Sequence, residues 1–285
     1  MALTIKGINT GVIRQGNAFV ALAFKIKEQK NKESLFFFPA LVLRDLLIAM
    51  ESRLAAIHQL QGDEQQKYEK ARDRTSKKML ENVPALQEDE LRNADVNFRV
   101  DGLALIQNEK DELTIALKLH GGENVEMAIN TLQLDLIVKA IIHAINNAGM
   151  KELVMRISSL LDFLPLYDAD CQEKDSLEYD YYEQAQWKHD LFSHYMAVLY
   201  RFNDKEGKEC FSGSIVKTRT PADSKEAQAI SRRLLDFSPR LKKIAGTQCQ
   251  VYVRTLAAKS GQQLTQEQCL RALYQLRVQS VKTPA

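Results

Sequence analysis

The order of apolar and polar positions divides the chain into strands and helices before anything else is considered. Residues 3–6 and 19–27 are rich in β-branched and aromatic side chains. The second run closes on Phe24-Lys25-Ile26-Lys27, the two-residue period of a half-buried strand. A polar turn, Gln29 to Lys32, leads to a further strand, Ser34-Leu35-Phe36-Phe37-Phe38. Pro39 suits a helix start, where a missing N–H costs nothing. Leu43, Leu46, Leu47, Met50, Leu54 and Ile57 then recur at spacings of three and four, the stripe of an amphipathic helix. Gly62-Asp63 interrupts it. Residues 64–78 (EQQKYEKARDRTSKK) favour helix but carry almost no apolar face, which predicts a solvated helical arm extending to Asn82-Val83-Pro84.

The same sequence of signals returns further on. Val96 to Val100 and Leu113 to Leu119 alternate, Gly121-Gly122 marks a hairpin turn before Val125 to Ile129, and Thr131 is placed to cap a helix carrying Leu132, Leu136, Ile137, Ile141 and Ile145. Gly149 suits the position just past that helix, and a second apolar helix spans 153–161. Leu41, Leu43, Leu46, Ala49 and Met50 match Leu132, Leu134, Ile137, Ala140 and Ile141 at an offset of 91, and the strand Phe24 to Lys27 matches Leu117 to His120 at 93. Residues 193–237 fit the strand–turn–strand–helix order a third time, and 250–254 with the capping box Thr265-Gln266-Glu267-Gln268 add a last strand and helix. The expected fold is α+β, built from antiparallel hairpins each followed by an amphipathic helix as repeated ββα-like units, with a long polar helical arm at 40–82. The expected domains are 1–150, a helix and acidic connector at 151–183, and a C-terminal α+β domain at 184–285.

Composition sets the class. In 285 residues, 45% are hydrophobic and 27% charged, ordinary values for a globular protein with a full core. No basic–apolar leader opens the chain, and no uncharged apolar run reaches the roughly 18 residues of a membrane span. Cys171, Cys210, Cys249 and Cys269 form no CxxC pair and have no His at zinc-ligand spacing, as expected of reduced thiols in the cytoplasm.

The net charge of +2 conceals an uneven distribution. Residues 1–150 carry 19 basic and 20 acidic side chains, 151–183 carry 3 and 9, and 184–285 carry 17 and 8. The connector interleaves Asp162, Asp168, Asp170, Glu173, Asp175, Glu178, Asp180 and Glu183 with tyrosines. Asp168 and Asp170 have the alternate spacing of a hard-metal loop, but no turn glycine or twelfth-position Glu accompanies them, so the pattern is a poor calcium loop. It reads instead as a solvated linker, or as a regulatory acidic segment covering the basic C-terminal third. There Lys217, Arg219, Arg232, Arg233, Arg240, Lys242, Lys243 and Arg254 could neutralise phosphates, with Phe237 or Tyr252 stacking on bases. No helix-turn-helix, KH or RNP signature supports that use.

No phosphate loop, GxGxxG, HExxH or GxSxG motif occurs, and His189 and His194 are five apart, wrong for a helical metal pair. No catalytic residue, metal ligand or cofactor is therefore assigned. The reading these features favour is a non-enzymatic binding or regulatory protein, oligomeric and acting through protein–protein contacts, with the helix at 41–80 as its partner surface. The rival is a nucleic-acid binder using the basic C-terminal domain, modulated by the acidic connector.

Ile5-Lys6-Gly7-Ile8-Asn9-Thr10-Gly11, then Leu35-Phe36-Phe37-Phe38-Pro39 and Leu43-Arg44-Asp45-Leu46-Leu47, resemble the YjeJ-like family of uncharacterised enterobacterial proteins. The resemblance covers the first fifty residues. It implies a cytoplasmic bacterial protein and carries over no activity, ligand or catalytic residue.

Overall fold

In a computed structural model, residues 2–172, 176–258 and 262–282 are described, and the chain divides into two compact units, Met1–Leu161 and Asp162–Ala285.

In the first unit, β1 (Leu3–Gln15), β2 (Ala18–Glu28) and β3 (Glu33–Phe38) form one antiparallel meander, and β4 (Val100–Asn108), β5 (Glu112–Leu119) and β6 (Asn124–Asn130) form another. They join through a short parallel pairing of β1 with β6, giving the order β3-β2-β1-β6-β5-β4. A parallel bridge from Phe37 to Arg99 draws the two outer strands together. Each meander leads into a helix, α1 (Ala40–Ile57) and α4 (Leu134–Asn147). Each helix is thus preceded by three strands, an α+β arrangement. Leu43, Leu46, Leu47, Met50 and Leu54 of α1 are all buried, as are Ile137, Ile141 and Ile145 of α4. Burial of such a side chain is worth about 1.5–3 kcal/mol, so these apolar stripes hold both helices on the sheet.

Three local expectations change. The polar stretch is a separate helix, α2 (Gly62–Leu80), begun at Gly62 with φ +59°. It is no free arm. Met79 is buried, Tyr68 donates its hydroxyl to the Thr131 carbonyl at 3.3 Å, and a half-buried face of small and polar residues lies against β1. Periodicity missed this face because Ala71, Thr75 and Ser76 are not apolar markers. Residues 96–98 are a tight helical turn rather than strand, because the Asp95 carboxylate accepts the Asn97 N–H at 2.9 Å. The cap before α4 is Asn130, whose side chain accepts the Leu132 N–H, rather than Thr131. The small helices α3 (Glu88–Arg92) and α5 (Lys151–Ser158) complete the unit.

The segment before and through α3 is fixed to the sheet at defined points. A side chain at Gly7 would place its Cβ 1.9 Å from the Asn82 carbonyl oxygen, so only glycine lets the chain cross β1 there. Lys25, buried on β2, donates to the Ala85 carbonyl and Glu90 Oε1, both at 2.6 Å, and pairs with Glu33 at 3.1 Å.

The second unit is an antiparallel sheet of order β11-β9-β10-β7-β8, made from β7 (Phe163–Cys171), β8 (Leu177–Tyr181), β9 (His194–Asn203), β10 (Glu209–Thr218) and β11 (Cys249–Leu256). α6 (Gln186–Leu191) precedes β9, α7 (Lys225–Phe237) follows β10, and α8 (Gln266–Lys282) follows β11. α7 starts at the Ser224 cap, and the Thr265–Gln268 capping box is formed. α8 crosses β10 at Gly213, where an added Cβ would lie 2.7 Å from Leu273 and 2.6 Å from the Val198 carbonyl oxygen.

The acidic segment read as a connector is therefore corrected: its described part contains strands β7 and β8, at one edge of this sheet. Its spacing is a strand period. Asp168, Asp170, Glu178 and Asp180 share one face, while Tyr167, Tyr179 and Tyr181 share the other, with ring centroids 5.2–6.4 Å from Tyr167. Glu173 and Asp175 lie outside the described residues.

Candidate functional site

The acidic face of β7 and β8 and the basic residues downstream meet within the second unit. A turn at Leu241–Ile244 follows α7 and brings Arg240 over the acidic face. Arg240 grips Asp180 with two bonds, Nε to Oδ2 at 2.8 Å and Nη2 to Oδ1 at 3.0 Å, and also donates to Asp170 at 2.8 Å. Glu178 lies 3.3 Å from the same guanidinium, and Lys243 reaches Asp170 at 2.6 Å. Arg233 forms a forked pair with Asp162. Burial acts to raise the Asp170 carboxyl, but Lys243, Ser212 and Arg240 outweigh it and hold it below the usual carboxylate range. Arg240 holds Asp180 low in the same way.

The other sequence-predicted cations are scattered. Lys217 is buried, gives its ammonium to the His189 carbonyl, and sits 4.9 Å from the Tyr195 ring centroid; burial lowers its pKa. Arg219 stacks 4.9 Å from the Phe192 ring, and Arg254 donates to Gln279 at 3.1 Å. Arg232 and Lys242 are exposed. Phe237 and Tyr252 are half-buried, and the Tyr252 hydroxyl donates to Gln250. Asp168 is buried with the Tyr182 hydroxyl donating to it at 2.7 Å. Among the described residues, no group of three or more His, Cys, Asp and Glu is arranged to hold a metal ion, and no helix is long and apolar enough to cross a membrane. The four cysteines are free thiols, and burial pushes Cys171 and Cys269 up to about 11.

Two clefts are comparable in size. One, of 490 Å³, lies in the second unit between the ends of β9 and β10 and the start of β11, and is lined by Arg201, Asn203, Glu209, Thr247, Gln248 and Gln250 among others. The other, of 510 Å³, lies in the first unit where β3 and the chain leading into β4 diverge from the Phe37–Arg99 bridge. Leu3, Leu35, Phe36, Phe37, Phe98, Leu119 and Val125 give it apolar walls. Glu33, Glu90, Asp95, Glu123 and Lys32 supply its charges, with Lys25 behind Glu33 and Glu90. Lys25 holds the Glu90 carboxyl low; the two glutamates in turn outweigh the burial of Lys25 and raise its pKa.

Sequence reasoning did not find this cleft. Its walls come from β1, β3, residues 90–98 and the β5–β6 hairpin, and only the tertiary bridge brings them together. Phe98, one of its walls, lies in the stretch read as an alternating strand and is 43% exposed in the fold.

The YjeJ-like family matches residues 1–283, so the two units together span what the family shares, and the chain belongs to the YjeJ-like family. It is 60% identical, over the whole of this chain and 99% of the relative, to the Escherichia coli (strain K12) protein named "Uncharacterized protein YjeJ". No solved structure matches the chain.

Proposed function

We propose that this protein is a non-enzymatic binding protein that works through contacts with another protein, and that the apolar cleft of residues 1–161 is the contact site. The observation that carries the reading is the cleft itself: 510 Å³ with seven apolar lining residues, among them an exposed phenylalanine, and charged groups at a few fixed points. Concave apolar sites of roughly 300–1,000 Å³ with a few placed polar groups are where proteins commonly take ligands. The helix at 41–80 is a weaker contact surface, because the apolar stripe of α1 is buried in the core.

The charge arrangement weighs against the nucleic-acid alternative. Arg233, Arg240 and Lys243 are each within hydrogen-bond reach of carboxylates, and Lys217 is buried, so half of the eight candidate cations are engaged or covered inside the unit. Phosphate binding draws its free energy from cations able to displace counterions.

A photo-crosslinking amino acid at position 98, and separately at 232, tests the two readings in the producing cell. Discrete, nuclease-resistant protein adducts from position 98 are expected. Nuclease-sensitive adducts from position 232 with none from 98 would overturn the proposal.

A further inference from the structure

The cleft has a feature that an ordinary small-molecule pocket lacks. Six consecutive residues, 32–37, line it. Successive side chains of a strand point to opposite faces, so an unbroken run can line a cleft only if the cleft lies along the edge of the strand. On its inner side β3 pairs with β2 from Lys27–Glu33 to Leu22–Phe38. On its outer side, among the described residues, only the Phe37–Arg99 bridge is made.

The direction of the main-chain groups follows from the hairpin. The Glu28 N–H donates to the Lys32 carbonyl, so Lys32 turns its carbonyl toward β2. Main-chain groups of an antiparallel pair alternate in direction. Ser34 and Phe36 therefore direct theirs toward β2, whereas Glu33, Leu35 and Phe37 direct theirs outward. Phe37 meets Arg99; Glu33 and Leu35 face the cleft, where no strand among the described residues pairs with them.

We infer that the cleft takes an extended segment of a partner polypeptide, which adds as a strand to the outer edge of β3 at Glu33 and Leu35 and places alternate apolar side chains against Phe98, Leu119 and Val125. This rests on the binding reading above and names the kind of ligand. Four carboxylates face the cleft against Lys32 and the buried Lys25, so the segment carries Lys or Arg beside its apolar positions. Strand addition of this kind takes affinity from main-chain bonds and specificity from alternate side-chain pockets.

The test uses the full chain and a random linear peptide library displayed on phage. Peptides are selected on the wild type, counter-selected on Phe98→Asp, synthesised, and remade with one N-methylated amide at a time. The expected selection has apolar residues at alternate positions with a neighbouring Lys or Arg. Methylation at alternate amides should weaken binding at least tenfold, and at the intervening amides less than threefold. Phe98-dependent peptides whose methylation profile is flat would overturn strand addition while leaving the binding reading intact. If no Phe98-dependent peptide is selected, the binding reading falls with it. A Phe98-dependent dimer in sedimentation, with no peptide able to compete, would assign the cleft to a second copy of this chain and overturn the inference.

Discussion

The two clefts differ by only 20 Å³ yet are built from opposite materials, and each reflects how its unit handles charge. In residues 162–285 the charges at the polar cleft and on the acidic face of β7 and β8 are paired. Arg201 lies 2.7 Å from Glu209 at the polar cleft, and Arg240 and Lys243 neutralise the acidic face of β7 and β8. In residues 1–161, one buried lysine holds two glutamates at the side of an apolar cleft, while a strand edge beside them is left without a partner. Both units have strand edges, β8 and β11 in the second and β3 at Glu33 and Leu35 in the first, but the edge of β3 borders an apolar cleft, and free edges are otherwise covered or blocked.

The sharpest way to break this contrast is to unpair the acidic face of the second unit. Arg240→Met removes the guanidinium that Asp170 and Asp180 share, leaving Asp170 with Lys243 and Ser212, and is expected to cost about 3 kcal/mol, the lower end for removing one partner of a buried pair. The sole tryptophan, Trp187, belongs to the second unit, so denaturant unfolding followed by its fluorescence reads the loss where it occurs. If the midpoint does not move, the charged face is only surface decoration.

Next in size, Gly7→Ala should destabilise the first unit by about 2 kcal/mol, because its Cβ must displace the Asn82 carbonyl from 1.9 Å. Hydrogen exchange should report the change across residues 80–92, with the second unit unaffected.

Acid should weaken both units through their paired carboxylates. Asp170 and Asp180 in the second unit and Glu90 in the first have folded pKa values below the unfolded ones. Their contribution is full above the unfolded carboxylate pKa of about 4 and is lost as pH falls through the folded values. Stability of the second unit, followed by Trp187, should thus fall as pH drops below about 4. Arg240→Met should flatten that part of the profile.

The smallest stability effect is expected of Phe98→Ser, within about 0.5 kcal/mol, as for an exposed position. The same change should abolish selection of peptides by the cleft. A large loss of stability instead would make Phe98 a core residue and weaken the contrast between the units.

Much of the secondary structure was legible where one face is apolar and the other wet, as in Phe24 to Lys27 and in the stripe from Leu43 to Ile57. Periodicity failed where the buried face is polar. Tyr167-Asp168-Ala169-Asp170 and Glu178-Tyr179-Asp180-Tyr181 alternate as cleanly as any strand. Their carboxylates resembled a solvated linker because Arg240, which pairs with Asp170 and Asp180, lies far along the chain. The same distance hid the cleft. Phe37 and Arg99 are ordinary residues until the bridge between them is formed, and the open edge beside it exists only in the folded sheet.

Gly213 marks a consequence for how the protein is made. α8 closes over β10 at that glycine, packs Arg277 against Phe211 and faces the row that holds Ile215, yet it follows every strand it covers. On a translating ribosome residues 1–161 can complete their core while the rest is still being synthesised, since domains fold as units from the N-terminus. The later sheet must wait with one apolar face bare until residue 282 has emerged. The interval between the last strand and the last helix is therefore when the nascent chain most needs protection from aggregation, and truncation within α8 should yield insoluble protein while leaving the earlier unit intact.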